Sequence, residues 1–174
     1  PRTVLEKNLG RPSWNEIVAT GSVRGMVNSG QPWALGTLSN YLTKNKAPQK
    51  VKVAILRGFS SFPSYEESTD KKILNAVRKS LASDDAFVIR EALRTLAKIG
   101  TNEDFGHLED GIRKLPAKWH QREIRRWRES LKKHVANRDG DAEARKRTRQ
   151  IQHNLEKLEA RIRDLEAQEK PLPE

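Results

Sequence analysis

The sequence predicts an all-α protein, an α-α superhelix of stacked antiparallel helix pairs that is followed by a long C-terminal helix with a heptad pattern. Three observations lead to this fold class. Apolar residues recur at helical spacing in successive segments with short connectors, and a four-residue pattern recurs inside three of these segments. No segment alternates polar and apolar residues over the length of a convincing strand.

The first two helices are marked by their end signals. Ser13 stands three positions before Glu16, a capping-box pattern that predicts a helix from Ser13 to about residue 29, ended by Gly30. Pro32 then fits the first turn of the second helix. The apolar face of that helix carries Leu35, Leu38 and Leu42. Because the connector is so short, we expect the two helices to be antiparallel neighbours.

The third and fourth helices follow the same plan. Pro48 fits a first-turn position of the third helix, and Ser64 with Glu67 forms a second capping box at the start of the fourth. We therefore expect a second helix pair with a short connector.

The remaining helices begin at residues 84, 101 and about 118. In the first of these, either Asp84 or Asp85 stands at the N-cap, and we expect Gly100 to end the helix with a positive φ. Thr101 or Asn102 is the expected cap of the next helix.

An internal repeat links three of the helices. Each contains an apolar residue, an arginine, a small residue and a large apolar residue: VRGM at 23–26, LRGF at 56–59 and LRTL at 93–96, at intervals of 33 and 37 residues. This period is typical of arrays of helical hairpins, in which each pair buries its apolar face against the next. We expect the small residues of these tetrads to let a neighbouring helix approach closely. They are Gly25, Gly58 and Thr95.

A heptad seam occupies the C-terminal segment. Its apolar residues are spaced by four, three, four and three positions, and they are Ile151, Leu155, Leu158, Ile162 and Leu165. The sequence NRDGD at 137–141 precedes it, so we expect a repeat domain over 1–137 and a separate coiled-coil-type helix over 141–170. A coiled coil this short is marginal alone. It either packs along the repeat stack or mediates self-association with another chain.

The repeat helices resemble a known family. Asp84, Ile89 and Arg90 match the second helix of a HEAT repeat, and the resemblance implies that Asp84 and Arg90 take part in a ladder between successive repeats. Over about 13–136, with the heptad tail in support, the chain resembles the HEAT-like carboxy-terminal helical domain of zinc aminopeptidases related to aminopeptidase N. A non-enzymatic paralogue of the basal transcription machinery is an alternative within this resemblance.

The resemblance implies a non-catalytic role. Such a domain forms a wall of the substrate cavity, contacts the catalytic domain of the same polypeptide and meets the peptide substrate indirectly. Zinc would belong to that separate catalytic domain, and this chain would hold no cofactor. Because the chain opens on Pro1 rather than Met, we expect a fragment of a longer protein.

No catalytic or metal motif is visible in the sequence. None of the four histidines has another within four residues, so the His-Glu-x-x-His zinc pattern is missing. There is no Gly-rich phosphate loop, no G-x-S-x-G and no cysteine. His107, Glu109 and Asp110 lie close in sequence, but an exposed helix face is the favoured interpretation. We therefore assign no catalytic, cofactor-binding or metal-binding residue, and whether the whole protein is an enzyme stays open.

The charge distribution offers a second function. The net charge is +11, and much of it lies in the helix expected to begin at about residue 118, which raises nucleic acid as a partner. The candidate basic surface consists of Arg122, Arg125, Arg126, Arg128, Lys132 and Lys133. Trp127 follows the helical spacing of Ile124 and Leu131, which favours a buried anchor over a stacking platform for bases. A nucleic-acid-binding repeat protein and a protein scaffold are thus the alternatives.

The compartment is inferred from absences in the sequence. Without cysteine, a signal peptide or a run of about 18 apolar residues, we expect a cytoplasmic protein with no membrane partner.

Overall fold

The computed structural model describes residues 2–43, 47–62, 67–116 and 121–138, together with residues 151, 154 and 157. Every regular element in these ranges is helical, which confirms the all-α class. The helices are α1 Arg2–Leu9, α2 Ile17–Ser29, α3 Pro32–Leu42, α4 Gln49–Phe59, α5 Glu67–Ser80, α6 Ala86–Ile99, α7 Asp104–Arg113 and α8, residues 121–138. A 3-10 turn, Trp14–Glu16, precedes α2.

The chain divides into two compact units, Pro1–Val135 and Ala136–Glu174. Within the first unit the helices pack in two rows. Helices α2, α4 and α6 lie side by side, and α8 joins the same row because Ser130 Oγ donates to the Ala97 carbonyl of α6 at 3.0 Å. Helices α3 and α5 pack together as part of the other row, while α1 packs on α2 and α7 on α6. We call α2, α4, α6 and α8 the even-helix row.

The core lies between the two rows. The apolar residues of all three tetrads are buried in it, namely Val23, Met26, Leu56, Phe59, Leu93 and Leu96. Burying a side chain of this kind contributes about 1.5–3 kcal/mol. The recurring pattern therefore marks residues that the fold depends on.

The expected start of α2 was wrong. Helix α2 begins at Ile17 rather than near Ser13, because Asn15 and Glu16 have φ of 54° and 58° in the preceding 3-10 turn. Left-handed residues interrupt the helical hydrogen-bond pattern, so the capping box does not form. The Ser13 hydroxyl instead accepts from the Val18 amide at 3.1 Å, and it satisfies a donor of the first turn from five positions away.

Several other end signals of the first helices agree with the structure. Gly30 ends α2 with φ of 60°, and Pro32 is the first residue of α3, as predicted. Pro48 stands one position before α4 instead of inside its first turn, and its carbonyl accepts from the amides of residues 51 and 52. Ser64 and the side chain of Glu67 lie outside the described part of the chain, so the second capping box is not tested.

Asp85, not Asp84, is the N-cap of α6. Its carboxylate accepts from the amides of Phe87 and Val88 at 2.8 and 3.4 Å. The expected positive φ at Gly100 was wrong, since the value is −66°. A glycine is required there for space: a Cβ would lie 2.6 Å from the Leu96 carbonyl oxygen and 2.9 Å from Leu131 Cδ1.

Helix α7 is also not capped as expected. Its first residue is Asp104, and neither Thr101 nor Asn102 is its N-cap. The Asp104 carboxylate accepts from the Thr101 amide at 2.7 Å and from the Thr101 hydroxyl at 3.0 Å. A side chain of the helix therefore holds the preceding connector, whereas a connector side chain was expected to cap the helix. Helix α1 was not predicted, because its apolar residues are too few to give a clear helical pattern.

Candidate interaction surface

Each tetrad places its small residue against a neighbouring helix, which is α1 for the first tetrad, α2 for the second and α4 for the third. A Cβ at Gly25 would lie 3.0 Å from Leu5 of α1, and a Cβ at Gly58 would overlap the Cγ2 methyl of Val27 in α2. The Thr95 hydroxyl donates to a carbonyl of α4 at 2.9 Å. This agrees with the close approach expected from the sequence. One helix side is thus fixed against its neighbour, and the arginine of each tetrad is directed outward.

The outward side of the even-helix row holds a groove of about 690 Å³. It lies between α2 and α4, and Phe87 of α6 also contributes to its lining. Its cationic lining is supplied by Arg24, Lys50 and Arg57, and its apolar lining includes Ile17, Val53 and Phe87. Ile17 and Phe87 are 55% and 56% exposed, which is high for large apolar residues, so we name this the row groove and treat it as the candidate site.

The electrostatics of the row groove are dominated by arginine. Glu91, whose side chain is only 6% exposed, pairs with the lining residue Arg57 at 3.1 Å and with Arg94 at 3.9 Å, although Arg94 itself lies beyond the groove lining. One carboxylate therefore serves two guanidinium groups. Arg24 is exposed and has no ion-pair partner among the described residues. The Lys50 ammonium contacts the Asn15 side-chain oxygen, which carries no charge.

Polar contacts also connect successive helices of the row. The Gln49 amide of α4 donates to both Asp85 oxygens at 2.9 and 2.7 Å, and Arg90 of α6 donates to Glu123 of α8 at 2.6 Å. Of the two residues expected in a repeat ladder, Asp84 is exposed at the start of α6, whereas Arg90 reaches the next helix. The acid that meets Arg90 is Glu123, which sequence reasoning did not single out.

The candidate basic surface lies on α8. All six of its cations are exposed, while Ile124, Trp127 and Leu131 are buried, which agrees with Trp127 being an anchor. Arg128 is held by Glu109 of α7 through two hydrogen bonds of 2.6 Å, and this contact lowers the pKa of the Glu109 carboxyl. The other five have no ion-pair partner in the described ranges.

The remaining candidate residues are not assembled into a chemical site. His107 is exposed, Glu109 is occupied by Arg128, and Asp110 pairs with Arg113 at 3.4 Å. Among the described residues, no group of three or more acidic or histidine side chains is placed to hold a metal ion. In that part of the chain, no helix combines the length and the apolarity needed to cross a lipid bilayer.

The heptad seam is only partly visible. Ile151 is 60% exposed, and Leu155, Leu158, Ile162 and Leu165 lie outside the described residues.

The row groove was missed by sequence reasoning, although one signal pointed to it. The second tetrad residue is always arginine, at 24, 57 and 94, and a charged residue kept at one place in a repeat of buried residues must face solvent or a partner. Lys50 and Phe87 carry no such signal, since they come together only when α4 and α6 pack.

Comparisons of the chain with protein-family models, with curated proteins and with solved structures found no match.

Proposed function

We propose that this chain is a non-catalytic, HEAT-like helical-repeat domain that forms an interdomain contact surface and a substrate-cavity wall in a zinc aminopeptidase. The observation that supports it most is the regular use of the tetrads. In α2, α4 and α6 the apolar tetrad residues enter the core, the small one meets a neighbouring helix and the arginine stays outside. Such a row gives a firm surface with repeated side chains, which suits contact with another polypeptide.

The chemistry of the row supports a non-catalytic role. Three carboxylates of the row are used in structural contacts, since Glu91 and Glu123 are each engaged by arginine and Asp85 caps α6. A general base needs a carboxylate or imidazole within reach of a substrate proton. The row groove offers cations and amides for binding instead.

The test mixes the purified chain with the catalytic domain of an aminopeptidase N type enzyme that lacks its own helical domain. We expect the chain alone to hydrolyse no aminoacyl fluorogenic substrate and to bind no stoichiometric zinc. We expect it to bind the catalytic domain in size-exclusion chromatography and to slow cleavage of long peptides more than of dipeptides, because a wall restricts access to the cavity.

A basic protein of similar charge, tested at the same concentration, controls for electrostatic association. Zinc-dependent hydrolysis by the chain alone would contradict the non-catalytic role. Failure to bind the catalytic domain would contradict the assignment to a peptidase.

Nucleic-acid binding through the candidate basic surface is the second candidate. It is favoured by the five α8 cations that have no ion-pair partner in the described part of the chain. A gel-shift titration across salt tests it: tight binding that falls steeply with added salt, and that is lost when Arg122, Arg125 and Arg126 become glutamine, would support it. Salt-insensitive or absent binding would exclude it.

A further inference from the structure

The arginines of the tetrads lie outside the apolar core. Arg24, Arg57 and Arg94 are exposed, one on each of three successive helices of the row. Within the described part of the chain, the carboxylate that contacts any of them is Glu91, shared between Arg57 and Arg94. Three guanidinium groups against one carboxylate leave donors unused on this face. An anionic partner would satisfy them.

The lining favours a polypeptide over a nucleic acid. Ile17, Val53 and Phe87 give the row groove apolar contacts for side chains. The Asn28 amide, also in the lining, offers both a donor and an acceptor, which suits the N–H and C=O groups of a peptide backbone. A phosphate backbone presents acceptors alone, and Phe87 is the single aromatic side chain in the described lining, so successive bases would find little to stack on.

The spacing of the row indicates how the acids of such a partner are arranged. Packed helices lie about 8–10 Å apart, and a peptide in the polyproline II conformation advances about 3.1 Å per residue and repeats its side-chain direction every three residues. Such a peptide, crossing the row at right angles, therefore covers about three residues per helix and presents one side chain of the same face to each. Carboxylates at every third position would meet one tetrad arginine after another.

We propose that the outward face of α2, α4 and α6, which includes the row groove, binds an acidic segment of a partner polypeptide in the polyproline II conformation, with acidic side chains about three residues apart. This site goes beyond the peptidase assignment and does not depend on it. The partner is recognised by charge at Arg24, Arg57 and Arg94, and by apolar contact at Ile17 and Phe87.

Fluorescence anisotropy with the full chain tests the proposal. The probe is a labelled peptide of about 12 residues, built from the repeat Glu-Leu-Ser, long enough to cross the row. One control peptide has the same composition with all glutamates adjacent, and another has glutamine for glutamate. We expect the spaced peptide to bind about tenfold more tightly than either control at about 0.1 M salt.

Two variants locate the site. Arg24→Gln and Arg94→Gln should each weaken binding of the spaced peptide about tenfold, because each removes a charged donor. Both residues are exposed, and Glu91 still has its ion pair with Arg57 when Arg94 is changed. Circular dichroism should therefore show an unaltered fold. Arg113→Gln on α7 and Arg122→Gln on α8 are matched controls that should leave the affinity unchanged.

Three results would overturn the proposal. Equal binding of the spaced and clustered peptides would mean that charge alone is recognised. An equal loss in the Arg113 or Arg122 variant would place binding elsewhere. Displacement of the spaced peptide by oligothymidylate at lower concentration than by unlabelled peptide would identify a nucleic-acid surface. Because no catalytic domain is present, none of these results bears on the peptidase assignment.

Discussion

The Arg78 guanidinium meets the Asp104 carboxylate at two points, with Nε to Oδ1 at 2.6 Å and Nη2 to Oδ2 at 3.0 Å. The contact joins α5 to the first residue of α7. Asp104 is fully buried, and it also accepts two hydrogen bonds from Thr101. A buried charge held by four donors is costly to disturb, because removal of one partner leaves the other uncompensated.

Asp104→Asn should therefore destabilise the protein by about 3 kcal/mol. Chemical denaturation followed by circular dichroism measures the change. Asp110→Asn on the same helix is the matched control, since Asp110 and its partner Arg113 are 69% and 79% exposed and their pair should contribute little. Equal effects of the two substitutions would show that the buried ion pair does not stabilise the fold.

Acid should weaken the same contact. Burial of the Asp104 carboxyl opposes its ionisation, but hydrogen bonds from Arg78 and Thr101 outweigh burial and hold its pKa below the ordinary value. A lowered folded pKa gives stability that is present above the unfolded pKa of about 3.9, and that is lost as the pH falls through the lower folded value. The free energy of unfolding should decrease below about pH 4, and less steeply in Asp104→Asn.

The Glu109 pKa is also lowered, so some acid sensitivity will remain in that variant. Denaturation midpoints at several pH values would test this, and parallel curves for the two proteins would contradict the role of Asp104.

Gly58→Ala should destabilise the protein by about 1–3 kcal/mol, because the new methyl group overlaps Val27 across the α2 and α4 contact. Gly36→Ala is the control within α3, where nothing lies within 4 Å of the added Cβ. That substitution should stabilise by about 1 kcal/mol, as alanine is the better helix former. Thermal melting of both variants measures the two changes in stability, which should have opposite signs. A loss of stability in both variants would argue against close packing as the cause.

Thr95→Val should cost about 1 kcal/mol, since it removes the buried hydrogen bond to the Leu56 carbonyl while it keeps the side-chain shape. Thr43→Val is the comparison, because the Thr43 hydroxyl is exposed and bonds only within its own turn. Equilibrium unfolding of both variants separates the effects. An unchanged Thr95→Val protein would mean that the α4 and α6 contact depends on apolar packing alone.

Trp127→Ala should destabilise by about 3–5 kcal/mol, because the indole is 4% exposed and anchors α8 in the core. Trp14→Ala, at 82% exposure, should change stability by less than about 0.5 kcal/mol. Intrinsic fluorescence gives a second readout, since Trp127 emission should shift to longer wavelength on unfolding. A large loss in the Trp14 variant would mean that its side chain has a structural contact.

Features that depend on periodicity were predictable. The burial of Trp127 follows from its spacing to Ile124 and Leu131, and the close approach at Gly58 follows from its place in a repeated tetrad. Both depend on the spacing of side chains along a single helix, and that spacing can be read from the sequence.

Features that depend on residues distant in the sequence were not predictable. Gly100 was expected to need a positive φ, but the requirement is space against the Leu96 carbonyl oxygen of its own helix and against Leu131, and the second of these lies in another helix. The choice between Asp84 and Asp85 as the N-cap was also left open, because a pattern of helical spacing does not fix the first residue of a helix to within one position. The row groove needs three helices to meet, so Lys50 and Phe87 gave no warning that they share a surface.

The contacts of the even-helix row, including the contact of its first helix with α1, differ in kind. The contact of α2 with α1 sets a glycine against a leucine methyl, that of α4 with α2 sets a glycine against valine, and those of α6 with α4 and of α8 with α6 set a hydroxyl on a backbone oxygen. The hairpins are consequently not interchangeable modules. Duplicating or reordering the helix pairs would place a methyl group where the neighbouring helix needs a hydroxyl. An engineer who wishes to lengthen this protein should therefore extend a terminus and keep the order of the interior helices.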